Sequence, residues 1–195
     1  MVVLHDPAVA EPLADALVAG GLRCAEITFR TDAAFEGIRR MAARPDMLVG
    51  AGTVLTPAQA DRAVEAGARF VVSPGFSPAV ARRCGELGVP LIPGTASATE
   101  IMMALDAGLT TVKFFPAEQL GGVGMLKALG AVFGGVRFVP TGGVNTGNVG
   151  DYLALPSVLA VGGTWMVAPD LLKAGDFAEV TRRTAAAVSQ VVGNA

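Results

Sequence analysis

Thr111-Val112-Lys113-Phe114-Phe115-Pro116 is a short apolar run with one charge in its middle. Its β-branched and aromatic residues suit a strand. Alternation puts Lys113 and Phe115 on one face and Val112 and Phe114 on the other. Seven more runs of this kind are spread along the chain: 2–5, 24–29, 48–52, 70–73, 91–93, 137–140 and 159–161. Amphipathic stretches lie between them, such as AVAEPLADALVAGG (8–21), AAFEGIRRMAAR (33–44), PAQADRAVEAGA (57–68) and PAVARRCGELGV (78–89). Gly20, Gly67, Gly88 and Gly108 stand where helix C-caps need a residue tolerant of positive φ. Thr56-Pro57 and Ser77-Pro78 each place a capping hydroxyl before proline at the first helical position.

Strand and helix alternating eight times, at roughly 20-odd residues per unit, predict a (β/α)8 TIM barrel forming a single domain over residues 1–195. A doubly wound open sheet is the alternative that periodicity does not separate; the count of eight favours closure. The length sits at the lower limit for such a barrel, so its loops must be short. The first unit is the weakest, because the sequence begins almost inside its first strand.

The composition is 52% hydrophobic and 16% charged, with net charge −2. That richness fits strands buried on both faces, an oligomer interface, or both. No Lys/Arg block marks a nucleic-acid partner. The apolar runs are far too short to span a bilayer, and the N-terminal residues lack the features of a signal peptide. A cytoplasmic protein is expected. Cys24 and Cys84 form no CxxC pair and read as buried small hydrophobes of a reducing cytosol.

Only three residues are lysine, and Lys127 and Lys173 lie in helix-like segments. Lys113 alone is expected inside the sheet. Poor hydration there drives an ammonium toward its neutral form, and a neutral amine in a concave site attacks ketones to form a Schiff base. The plainer alternative is a lysine paired with a carboxylate for structural reasons.

Active sites of such barrels gather at the C-terminal ends of the strands. In Glu26-Ile27-Thr28-Phe29-Arg30, the three polar residues share a face and are expected to point inward; an internal ion pair of Glu26 with Arg30 or Lys113 is the alternative. Leu48–Thr53 ends its strand in small residues and a hydroxyl, which suits either close approach of a ligand or a tight turn. Thr141-Gly142-Gly143 and Gly162-Gly163-Thr164 follow the seventh and eighth strands, where barrel enzymes often hold a phosphate on backbone N–H groups. His5 is the sole histidine, and no spacing resembles a metal cage, so neither metal nor cofactor is expected.

With these residues in hand, the chain resembles the bacterial 2-keto-3-deoxy-6-phosphogluconate (KDPG) aldolases, which include enzymes acting on 4-hydroxy-2-oxoglutarate (KHG). The resemblance is carried by EITFRT (26–31), VGAGTVLTPAQ (49–59), SPGFSP (73–78), PLIPGTA (90–96), KFFPAE (113–118), RFVPTGGV (137–144), DYLAL (151–155) and VGGTW (161–165). It implies a class I aldolase on a (β/α)8 barrel, a homotrimer without a metal, acting on a small phosphorylated keto acid. It implies Lys113 as the Schiff-base residue and Glu26 as the proton carrier. Arg30 and Thr53 would lie around the pyruvyl carboxylate, and Pro93 and Phe115 would line the pocket; Thr141 is read apart from the resemblance as a contact for the C4 hydroxyl that bears on stereochemical preference. Gly142, Gly143, Gly162, Gly163 and Thr164 would form the phosphate end. Two features depart from the family pattern: Thr164 replaces a usual serine, and the family's extra N-terminal helix is not expected before the first strand. An aldolase for the C4 epimer or for an unphosphorylated acid, a phosphosugar isomerase or epimerase, and a non-catalytic scaffold are the other readings.

Overall fold

The computed structural model describes residues 1–192. Four strands, β1 (Cys24–Thr28), β2 (Leu48–Gly52), β3 (Phe70–Val72) and β4 (Leu91–Ile92), pair in parallel in chain order. A second parallel set holds β5 (Gly94–Thr95), β6 (Thr111–Phe114) and β7 (Arg137–Pro140). The strand expected over 91–93 appears as β4 alone, and β5 continues it beyond Pro93. Proline has no N–H to give a ladder, but its carbonyl still accepts from the N–H of Lys113 at 2.8 Å.

The ends of the chain complete the ring. Val2 bridges Ile27 of β1, while Val158 and Gly162 bridge Phe138 and Thr141 beside β7. The Met1 amino group donates to the Gly163 carbonyl at 3.0 Å and joins the first segment to the last. Eight parallel segments in sequence order, closed by that bond, make the barrel.

Two expected strands are reduced to isolated bridges. Over 2–5 pairing is confined to Val2, because Asp6 caps a 3-10 turn that starts at Pro7. Over 159–161 regular pairing is lost. Between the two bridges, three residue steps on the β7 side (138 to 141) face four on the other (158 to 162). One extra residue is a bulge, and it leaves Leu159 60% exposed.

The helices are α1 (Ala10–Ala19), α2 (Ala34–Ala42), α3 (Pro57–Glu65), α4 (Pro78–Leu87), α5 (Ala98–Asp106), α6 (Gly122–Val132), α7 (Val149–Leu153), α8 (Pro169–Ala174) and α9 (Phe177–Val192). Thr56 accepts from the Gln59 N–H and Ser77 from the Val80 N–H, as the Thr-Pro and Ser-Pro pairs predict. Replacing Ser77 by alanine should cost about 1 kcal/mol, read by urea unfolding. Gly67, Gly88 and Gly108 have positive φ, but Gly20 does not; the left-handed residue after α1 is Gly21 (φ 89). Gly20 is instead pressed by α9, since a Cβ there would lie 2.6 Å from that of Thr184.

Outward strand residues Ile27, Val49, Ala51 and Val71 are fully buried under the helices in one cluster, and Val112, Phe114 and Phe138 in another. The inner face is left to the polar residues.

Candidate active site

Lys113 and Glu26 meet across the barrel interior. Their strands, β6 and β1, are not neighbours in the sheet, yet Nζ lies 3.8 Å from Oε1 of Glu26. Side-chain exposure is only 6% for Lys113 and 14% for Glu26. This separation allows charge attraction but is too long for a hydrogen bond, and Glu26 Oε1 is buried with no hydrogen-bond partner among the described residues. A buried acceptor in that condition is costly to keep, so it is poised for a ligand or a water.

Burial pushes the Lys113 amine below its ordinary pKa, and the Glu26 carboxylate pulls it partly back. The Phe115 ring lies 5.0 Å from Nζ and covers it. The shared face of Lys113 and Phe115 is thus the inner one, with Val112 and Phe114 fully buried outside. Pro93 is buried beside this strand, its carbonyl bonded to the Lys113 backbone.

β2 makes the room. A Cβ on Gly52 would sit 1.9 Å from Glu26 Oε1, and one on Gly50 would sit 2.2 Å from the Phe70 ring. The space left by these glycines is filled by protein side chains rather than by a ligand reaching the backbone. Gly52→Ala should therefore swing Glu26 out of line. Turnover should fall about 10²-fold, the order expected for a 1 Å misplacement, and the thermal midpoint should fall as well, because Cδ and Cγ of the largely buried Glu26 would also lie 2.6 and 2.7 Å from that Cβ. Thr53 follows with φ 56, a left-handed conformation that is strained for a β-branched residue. Such strain, of order 1–3 kcal/mol, collects at functional sites.

The shared inward face expected for Glu26, Thr28 and Arg30 holds only in part. Thr28 is buried, but its hydroxyl donates to the Val2 carbonyl at 3.2 Å. β1 ends at Thr28, and a tight turn with Arg30 N–H on the Thr28 carbonyl redirects the chain. Arg30 is exposed, in a cavity it shares with Thr31, Asp32, Gln59 and Arg62. It makes no ion pair among the described residues.

The two glycine pairs form the rim. Gly142 and Gly143 have φ 96 and 84. The carbonyls of Thr141 and Gly142 accept from the N–H groups of Ala117 (2.8 Å) and Glu118 (3.1 Å), so the loop is anchored on the segment that follows Lys113. The N–H groups of Gly142, Gly143, Gly163 and Thr164 have no acceptor among the described residues. Gly162 differs: its N–H is bonded to the Pro140 carbonyl at 2.9 Å, and a Cβ there would strike Thr141 Oγ1 at 2.3 Å. Its role is to admit buried Thr141, whose hydroxyl lies 3.4 Å from the Val139 carbonyl. Thr164 is exposed at the rim. The Trp165 ring lies on Gly163, 1.8 Å from where a Cβ would stand.

Other parts of the site were not singled out from sequence. Tyr152, fully buried, donates its hydroxyl to Glu118, and its phenol is pushed up by burial and by that carboxylate. Asn145 and Asn148 both reach the Gly143 carbonyl. An Asn-x-x-Asn spacing after two glycines is a turn signal, which says nothing of what the turn supports. No group of three or more His, Cys, Asp or Glu is placed to hold a metal among the described residues.

A closed parallel barrel with a desolvated amine and a carboxylate facing each other inside, and a rim of free amides, has the parts of a barrel enzyme that works through an imine. The profile of the KDPG and KHG aldolase family matches residues 1–183. A 2-dehydro-3-deoxy-phosphogluconate aldolase of Treponema pallidum is 56% identical over 173 residues, 88% of this chain and 82% of that protein. Among solved structures, a KDPG aldolase from Legionella pneumophila, with pyruvate captured as a covalent carbinolamine, superposes with TM-score 0.93 at 43% identity, covering 95% of this chain and 91% of that one. The Zymomonas mobilis enzyme with 3-phosphoglycerate gives 0.89 at 44% identity, covering 94% and 87%. The chain belongs to the KDPG and KHG aldolase family, which are carbon–carbon lyases.

Proposed function

We propose that this protein is a class I aldolase that cleaves 2-keto-3-deoxy-6-phosphogluconate to pyruvate and glyceraldehyde 3-phosphate, with 4-hydroxy-2-oxoglutarate as a second substrate. The observation that carries this reading is the desolvated Lys113 amine facing Glu26 across the interior. Neutral Lys113 attacks the C2 ketone, and the carbinolamine takes up a proton from solvent as it loses water to give an iminium. The C3–C4 bonding pair then flows into the iminium to leave an enamine, while Glu26 takes the C4 hydroxyl proton and the aldehyde departs. Glu26 returns that proton to C3, and water releases pyruvate and restores the amine. Glu26 Oε1, buried without a partner among the described residues, is suited to accept that proton.

Arg30 and Thr53 are assigned to the pyruvyl carboxylate. A planar guanidinium grips a carboxylate through two parallel bonds, and Arg30, exposed and without an ion pair among the described residues, is free to do so. Pro93 and Phe115 wall the pocket, and Thr141 faces the C4 hydroxyl. The N–H groups of Gly142, Gly143, Gly163 and Thr164 hold the phosphate, with Gly162 shaping the loop. The family name and the phosphorylated acid bound by the Zymomonas relative support this assignment.

One barrel unit carries the whole activity in this reading. It works in the cytoplasm as a homotrimer, for which exposed Met102, Met103 and Leu105 on α5 offer apolar surface; sedimentation tests that state. No helix among the described residues is long and apolar enough to cross a membrane.

The test is cleavage of synthetic 2-keto-3-deoxy-6-phosphogluconate, with pyruvate followed by a coupled dehydrogenase. Release of pyruvate and glyceraldehyde 3-phosphate in equal amounts is expected. A folded protein that releases neither overturns the reading.

A further inference from the structure

We infer that the backbone N–H of Val144 is a further phosphate donor, the third in succession on the loop after β7, and that Asn145 and Asn148 are positioning residues that aim it. The inference rests on the aldolase reading above for the identity of the substrate. A peptide unit is planar, so fixing the carbonyl of one residue fixes the N–H of the next in the opposite direction. The bonds from Ala117 and Glu118 to the carbonyls of Thr141 and Gly142 therefore aim the N–H groups of Gly142 and Gly143. The next peptide unit, between Gly143 and Val144, is held by two side chains. Asn145 Nδ2 donates to the Gly143 carbonyl at 2.9 Å and Asn148 Nδ2 at 3.1 Å.

The Val144 N–H, like those of the two glycines, has no acceptor among the described residues, although Val144 is only 7% exposed. A backbone N–H without an acceptor on a residue this little exposed calls for a partner. Three successive carbonyls are thus each held by a donor, and the three N–H groups of the same peptide units are left for an anion, the kind of backbone run that concentrates partial positive charge.

The asparagines are themselves fixed. Asn148 Oδ1 accepts from the Asn145 N–H at 2.8 Å, and Asn145 Oδ1 from the Gly147 N–H at 2.8 Å. Gln190 of α9 donates to the Thr146 carbonyl at 2.7 Å and holds the turn from outside. The contacts named for these two side chains lie within the loop and its turn, so they act on the distal end of the substrate and not on its keto end.

The experiment compares Asn145→Asp and Asn148→Ala with the parent protein on two substrates, 2-keto-3-deoxy-6-phosphogluconate and its unphosphorylated counterpart. KM for the phosphorylated acid should rise about tenfold or more, since hydrogen bonds to a charged group are the stronger kind. kcat, and kcat/KM for the unphosphorylated acid, should hold within about twofold, as expected when binding common to ground and transition states is removed. Parallel losses on both substrates, or no loss on either, overturn the inference. Inorganic phosphate binding, followed by fluorescence of the single tryptophan Trp165 against Gly163, gives a readout independent of turnover. Phosphate binding weakened about tenfold in the variants supports the clamp even if aldolase activity is absent; unchanged binding in folded variants sinks it even if the activity is present.

Discussion

Lys113→Ala abolishes aldol cleavage, with kcat down about 10⁴- to 10⁶-fold, the scale of losing a covalent nucleophile. No residual route is expected, because the iminium is the electron sink for the C3–C4 bond and neither of the other two lysines lies in the sheet. The variant should fold. A desolvated amine costs stability wherever it must carry a proton, and alanine removes that cost. The sign with pH follows from the lowered pKa. Between that lowered value and the ordinary lysine value, the unfolded chain binds more protons than the folded one, so parent stability rises with pH across this window. Lys113→Ala lacks that slope. Its stability relative to the parent should be greatest below the window and decline through it. Urea unfolding at several pH values reads this, while the coupled assay reads the loss of turnover.

Glu26→Gln separates imine formation from bond cleavage. Loss of the proton carrier should lower kcat about 10²- to 10⁴-fold, while reductive trapping of pyruvate on the protein persists. The carboxylate is also what draws the Lys113 pKa back up. Without it the amine should lose its proton at lower pH still, so the pH profile of trapping shifts to the acid side and trapping at a fixed acidic pH becomes faster. A glutamine that trapped more slowly, with the same pH midpoint as the parent, would contradict the electrostatic pairing. Together the two variants place nucleophile and proton carrier on separate steps, which a purely structural ion pair would not do.

What the sequence discloses of this site depends on how local the cause is. Lys113 stands out because strand alternation and its apolar neighbours are local, and its place among Val112, Phe114 and Phe115 follows from them. Glu26 follows from the same alternation. Arg30 does not, because a turn after Thr28 ends the alternation and turns the guanidinium to the surface. The Ser77 and Thr56 caps are legible since a cap reaches only three residues, whereas the choice between Gly20 and Gly21 rests on how α9 crosses α1.

Gly50 and Gly52 look like an opening for a ligand. Only the barrel shows that Phe70 and Glu26 fill it. The bulge over 159–161 is invisible for a related reason: an unbroken apolar run carries no mark of the register in which it pairs. The clamp on Gly143 is hidden too, since asparagines two and five residues along can serve any turn until the carbonyl they reach is known.

In this mechanism one particular amine, that of Lys113, forms the imine. With three lysines in the chain, borohydride reduction in the presence of pyruvate, followed by peptide mapping, gives a direct answer. The adduct is expected on the peptide that carries Lys113. An adduct on Lys127 or Lys173, or none at all on folded protein, would contradict the account.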